Sequence, residues 1–180
     1  MIHAPKAVDV TLSRGHLDLC RAEADRWRER AVNYGDNSYN ENAFSRDDAN
    51  YTGAIGELAT SYFTDLPTHF GEPYVHGRAD VGLIEVRTRT VGKFPILRVY
   101  EKDPHPITVL ATIRTLTDDG AIVRLHGWIL TQIAWSYGEK KGEHWKRGVE
   151  YHLGENFLRP MTTLVHEHKK MEAFYEFQSG

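Results

Sequence analysis

The chain has 180 residues, 41% of them apolar, and a formal net charge of -3, a size that suits one domain with one sizeable core. Its apolar stretches, such as PITVLATI, fall far short of the roughly 18 residues needed to cross a bilayer, which excludes a membrane-spanning helix. MIHAPKAVDVTL has neither the basic start nor the apolar centre of a secretory signal, and the lone Cys20 can form no internal disulfide, so a cytoplasmic protein is expected. The acidic balance is not that of a protein that coats nucleic acid, yet it suits a cluster of carboxylates whose bound cations supply the missing positive charge.

In chain order, Ser13 is a plausible N-cap, and Leu17, Cys20, Ala24, Trp27 and Ala31 follow at three- and four-residue intervals. This spacing predicts a helix over 14–33. Gly35 to Asn50 is polar and without period, and reads as a long loop. A second helix is predicted over 50–64, where Tyr51, Ile55, Leu58 and Tyr62 make the apolar stripe. Glu57 lies beside that stripe, and Gly53, Thr60 and Ser61, one turn away, leave the surface around it open.

Residues 83–90, 94–101, 106–115 and 120–130 are β-branched and separated by Gly, Pro and Asp, so they read as strands, three or four of them adjacent and antiparallel. Shorter helices are expected at 131–137 and 163–177. In LIEVRTRT, alternation puts Glu85, Arg87 and Arg89 on one strand face and Ile84 and Val86 on the other. Asp80 stands five residues before Glu85, and the Gly82 between them suits a tight turn that returns Asp80 to Glu85. Carboxylates that converge repel one another unless a cation lies between them, and Mg²⁺ is held in this way.

GAIGELA with Glu57, ADVGLIEVRT with Asp80, Glu85 and Arg87, and LHGWIL resemble, in that order and spacing, the PD-(D/E)XK nuclease superfamily, closest to its small phage-type members. The resemblance implies an α/β, restriction-endonuclease-like mixed sheet with an antiparallel hairpin core flanked by helices. It spans 50–165 of one domain that occupies 1–180, with 1–49 as an N-terminal helix and loop and 166–180 as a helical tail. It further implies Mg²⁺- or Mn²⁺-dependent hydrolysis of DNA phosphodiesters. Asp80 and Glu85 would be metal ligands, Glu57 would complete the shell or orient water, and Arg87 would stabilise charge. Such proteins often act as homodimers. Arg87 departs from the family pattern, which has Lys there, and a guanidinium is a planar fork where an ammonium is a point charge.

Arg89 and Lys93, with Arg98 and Lys102 nearby, are candidate phosphate contacts, and Lys140, Lys141, His144, Trp145, Lys146 and Arg147 form a second basic segment that reads equally well as a solvated loop. His166 and His168 are two residues apart, so on a helix they point to different faces, and no Cys pair supports a zinc site. His126 and Trp128 alternate onto one strand face as packing residues. Two rivals stand beside the DNA nuclease: an inactive nuclease-fold module that binds nucleic acid or protein, and an RNA-directed nuclease.

Overall fold

A computed structural model of the chain describes residues 6–33, 43–70, 78–90, 95–142 and 148–179. Among these residues the protein is mixed α/β, with four α-helices and two sheets. The elements run β1 (Val8–Ser13), α1 (Arg14–Asn33), α2 (Ala43–Thr64), β2 (Ile84–Thr90), β3 (Ile96–Tyr100), β4 (Ile107–Thr117), β5 (Gly120–Leu130), α3 (Thr131–Tyr137), β6 (Glu139–Lys141), β7 (Glu150–Gly154) and α4 (Leu164–Ser179). Short 3-10 turns at Glu155–Phe157 and Met161–Thr163 lead into α4.

The larger sheet has the order β1-β5-β4-β2. β4 and β5 are antiparallel across a tight turn, β1 runs antiparallel to β5, and β2 runs parallel to β4. This corrects the expectation that 83–90, 94–101 and 106–115 follow one another as antiparallel neighbours. β3 leaves the first sheet and joins an antiparallel β3-β7-β6 sheet, so the chain crosses over between β2 and β4, as a parallel pair requires. β1, β6 and β7 are strands that periodicity did not reveal, being short or broken by charge. α2 begins at Ala43, so part of the expected loop is helical; a segment with few apolar residues at helical spacing leaves no period to read.

Apolar side chains on the two faces of the larger sheet enter two cores. Val109, Ala111, Val123 and Leu125 pack with Leu17, Cys20, Ile55 and Ala59 of α1 and α2, while Leu110 and Ile129 pack with Leu97, Val99 and Leu153 of the smaller sheet. At the entry to α1, His16 Nδ1 accepts the Ser13 N–H at 3.0 Å and lies 3.0 Å from the Ser13 hydroxyl, so the third helical residue reaches back to the backbone N–H of the capping position.

A shift of register where Leu110 opposes Gly127 and Ala111 opposes Leu125 marks a bulge in β5. It reverses the alternation, so Trp128 packs with Leu125 in the helix-side core while His126 bonds Thr112 at 2.8 Å, a neighbour of the core residues Ala111 and Ile113 that faces the other way. The expectation that His126 and Trp128 share a face is thereby overturned. Gly127 has φ +149, and a Cβ there would lie 2.5 Å from the Arg159 carbonyl, so the bulge needs glycine.

Candidate metal and phosphate site

β2 is an edge strand of the larger sheet, and a cavity of about 360 Å³ lies beside it. Glu57 reaches this cavity from α2, Asp80 and Glu85 from the turn into β2, Arg87 and Arg89 from β2 itself, and Arg98 and Tyr100 from β3. Sequence-expected residues from two separate segments thus share one wall. Lys93 and the segment 143–147 lie outside the described residues. Lys102 is exposed beyond β3, and Lys141 pairs with Glu139 on β6.

The approach of Glu57 depends on the residue before it. A Cβ on Gly56 would fall 1.8 Å from Thr88 Oγ1, so α2 can lie on β2 at this contact only because the position is glycine. Asp80 is brought to Glu85 by the expected turn. The Val81 and Ile84 backbones exchange hydrogen bonds of 3.0 and 2.8 Å, and Gly82 between them has φ +57, the left-handed value that a two-residue hairpin loop calls for. Asp80 Oδ2 then accepts the Val86 N–H at 2.7 Å. His168, buried on α4, accepts the Leu83 N–H at 3.1 Å through Nε2 and faces Glu172 through Nδ1 at 3.3 Å. It fastens the hairpin from behind, while His166 is exposed on another face.

Electrostatics set this cavity apart. Burial, followed by the charges of Asp80, Glu85 and Glu23, holds Glu57 well above the usual carboxylate range. Burial pushes Asp80 up to about 6, against the opposing pull of the Val86 N–H and Arg87. Burial and then Asp80 push Glu85 up to about 8, with Arg87 opposing. Glu23 is a further buried carboxylate near Glu57, itself paired with Arg26. Burial and mutual repulsion thus favour a proton or a cation among Glu57, Asp80 and Glu85.

Two residues beside the cavity, Asp103 and His105 in the turn between β3 and β4, lie outside every periodic segment of the sequence. Asp103 Oδ2 accepts from Arg87 Nη2 at 2.8 Å, Glu85 Oε1 lies 3.0 Å from Arg87 Nη1, and Glu85 Oε2 lies 3.3 Å from His105 Nε2. The Arg87 guanidinium also lies over the Tyr100 ring, 4.8 Å from its centroid. Among the described residues, the three-residue group whose ligand atoms all fall within 4.8 Å of one another is Glu85, Asp103 and His105. It is not the expected trio of Glu57, Asp80 and Glu85. The sign in the sequence was D-P-H, an acid and an imidazole fixed about a proline directly before a β-branched run.

The positive side of the cavity is crowded too. Burial and then the nearby Arg98 lower the pKa of Arg89, and Arg98 has only a long contact of 3.9 Å to Glu150. The buried Glu150 offsets part of this repulsion, and an anion in the cavity would offset more. Hard carboxylate oxygens on one wall therefore fit a divalent cation, and guanidiniums on the adjoining wall fit a phosphate. No family model, curated protein or solved structure matches this chain.

Proposed function

We propose that the chain is a metal-dependent phosphodiesterase that hydrolyses DNA, with a centre and an architecture of the PD-(D/E)XK, restriction-endonuclease-like kind. One observation carries the reading: Glu57, Asp80 and Glu85, from a helix and a hairpin far apart in sequence, line a single cavity in which burial raises the proton affinity of each, Asp80 and Glu85 raise that of Glu57, and Asp80 raises that of Glu85. The order of a Glu-bearing helix before an Asp and Glu-x-Arg hairpin supports it, as does a mixed sheet with helices packed on one face.

In this reading Asp80 and Glu85 would hold Mg²⁺ or Mn²⁺, with Glu57 either completing the shell or orienting the attacking water. The ion would supply an acidified water and neutralise charge on the phosphate. In the second role Glu57 would take the proton of that water as its oxygen bonds phosphorus and the P–O bond to the sugar oxygen breaks, the leaving oxygen being protonated from solvent. Arg87 holds Glu85 in place, and Arg89 and Arg98 receive phosphate oxygens. Lys93 would extend this contact line. A cytoplasmic homodimer belongs to the same reading, and light scattering on the purified chain tests its stoichiometry.

A second reading, a module that binds nucleic acid without cutting it, is favoured by the engagement of Arg87. Where the family has a lysine, this arginine is already committed to Glu85 and Asp103. Incubation with single-stranded, duplex and branched DNA, and with RNA, in Mg²⁺, Mn²⁺ and EDTA separates the readings. Metal-dependent DNA cleavage that Asp80→Asn abolishes supports the first; DNA binding with no cleavage in either metal supports the second. Cleavage confined to RNA moves the substrate.

A further inference from the structure

We propose that Glu85, Asp103 and His105 form a second cation position, suited to a divalent first-row transition ion, with Arg87 as its positioning residue. The position shares Glu85 with the phosphodiesterase reading but does not depend on DNA cleavage.

The inference starts from how Arg87 uses its two terminal nitrogens. Nη2 donates to Asp103 Oδ2 at 2.8 Å, and Glu85 Oε1 forms an ion pair with Nη1 at 3.0 Å, so one guanidinium faces one oxygen of each carboxylate. The other oxygens are left for the His105 side. Glu85 Oε2 lies 3.3 Å from His105 Nε2, and Asp103 Oδ1 has only a long bond of 3.4 Å from the His105 backbone N–H. Asp103 is buried, with its side chain 2% exposed, so these oxygens have little water to turn to. Two carboxylate oxygens and one imidazole nitrogen remain, and the three residues offer ligand atoms within 4.8 Å of one another.

The donor set selects the ion. Mg²⁺ prefers oxygen and water, whereas an imidazole in the first shell favours Mn²⁺, Zn²⁺ and their neighbours. Nε2 must then present its lone pair, with the ring proton on Nδ1. Arginine at this position places two separate nitrogens against the two carboxylates, a spread that the single nitrogen of an ammonium does not have.

Pulsed EPR of the untagged chain saturated with Mn²⁺ reads the ligand directly, and calorimetry with Mg²⁺ reports separately on the Asp80 position. Coupling to an imidazole nitrogen is expected in the wild type, and His105→Gln should remove it and weaken Mn²⁺ binding there about tenfold or more, with Mg²⁺ binding unchanged. Asp103→Asn should also weaken it. Asp80→Asn should lower Mg²⁺ binding yet keep the nitrogen coupling. Wild-type protein that binds Mn²⁺ with no nitrogen coupling, or coupling that survives His105→Gln, overturns the proposal and leaves the phosphodiesterase reading standing. Nitrogen coupling in a protein that binds no Mg²⁺ supports this site and counts against that reading. The wild-type spectrum decides even if a variant fails to fold.

Discussion

Two clusters of histidine and carboxylate lie on the larger sheet, and they are built in opposite ways. In the first, Thr112 bonds His126 Nε2 at 2.8 Å and His126 Nδ1 meets Glu155 at 2.9 Å. One ring stands between one hydroxyl and one exposed carboxylate, and each ring nitrogen has a partner. In the second, Asp80, Glu85 and Asp103 gather around Arg87 with Glu57 on the same cavity, acid is in excess of base, and burial raises the proton affinity of Glu57, Asp80 and Glu85. A satisfied polar chain fixes a fold. An unbalanced one is held together by the folded framework, and strong perturbation of titrating groups in a cavity is shared by functional sites and structural ion-pair networks, so the variants below separate the two. The Thr112 relay has the residue types of a nucleophilic triad, but it does not line the cavity beside β2.

The comparison is broken most severely at Glu85, which both cation positions share. Glu85→Gln should lower DNA cleavage by about a hundredfold or more, measured in single turnover. It should also leave the metal-free protein about as stable as the wild type near neutral pH, because an amide replaces a carboxyl that burial pushes up to about 8 and that already favours its neutral form. A large loss of thermal stability with cleavage retained would show that Glu85 is a structural residue.

Arg87 comes next. Arg87→Ala leaves Asp103 buried without its partner and should cost about 3 kcal/mol of stability, read by denaturant unfolding. Arg87→Lys should recover charge without the fork, giving metal affinity below that of wild type. Equal stability and affinity in all three proteins would remove Arg87 from the site.

The proton-loaded state of the cavity gives a dependence on pH. Asp80 and Glu85 have folded-state values raised above their ordinary ones, so the unfolded chain ionises first. The metal-free protein then loses stability as pH rises from the ordinary carboxylate range through about 6 for Asp80 and about 8 for Glu85. Mg²⁺ replaces those protons, and its stabilisation should grow over the same window, reaching about 2.7 kcal/mol at a hundredfold excess over Kd. Melting curves in EDTA and in Mg²⁺ across this range test the sign. Stabilisation that shrinks with rising pH would refute the electrostatic account.

Smaller effects sharpen the contrast. Arg89→Ala should reduce the salt dependence of DNA binding by about one unit of log-log slope for the lost phosphate contact. Thr112→Val should cost about 1 kcal/mol through the unpaired His126 nitrogen, with cleavage and metal binding unchanged. Any change in metal binding there would join the two clusters into one.

The sequence by itself determined the helices at 14–33 and 131–137, the C-terminal half of α2 and the positions of four strands, because apolar spacing and turn residues are local properties. The Asp80 to Glu85 turn was legible for the same reason: Gly82 sits within the few residues that make it. Alternation around His126 misled, since one inserted residue at the bulge reverses every side chain beyond it. The parallel pairing of β2 with β4, the departure of β3 to a second sheet and the meeting of Arg87 with Asp103 were decided only by tertiary structure. Each joins segments whose separation leaves no periodic trace. Asp103 and His105 reach Glu85 because β4 lies beside β2 and the turn before β4 falls next to the start of β2, and Glu57 reaches the same cavity because α2 lies against Thr88 where Gly56 has no side chain. Local pattern can place a carboxylate on a face, but only the packing of that face against distant chain decides which charges it must share.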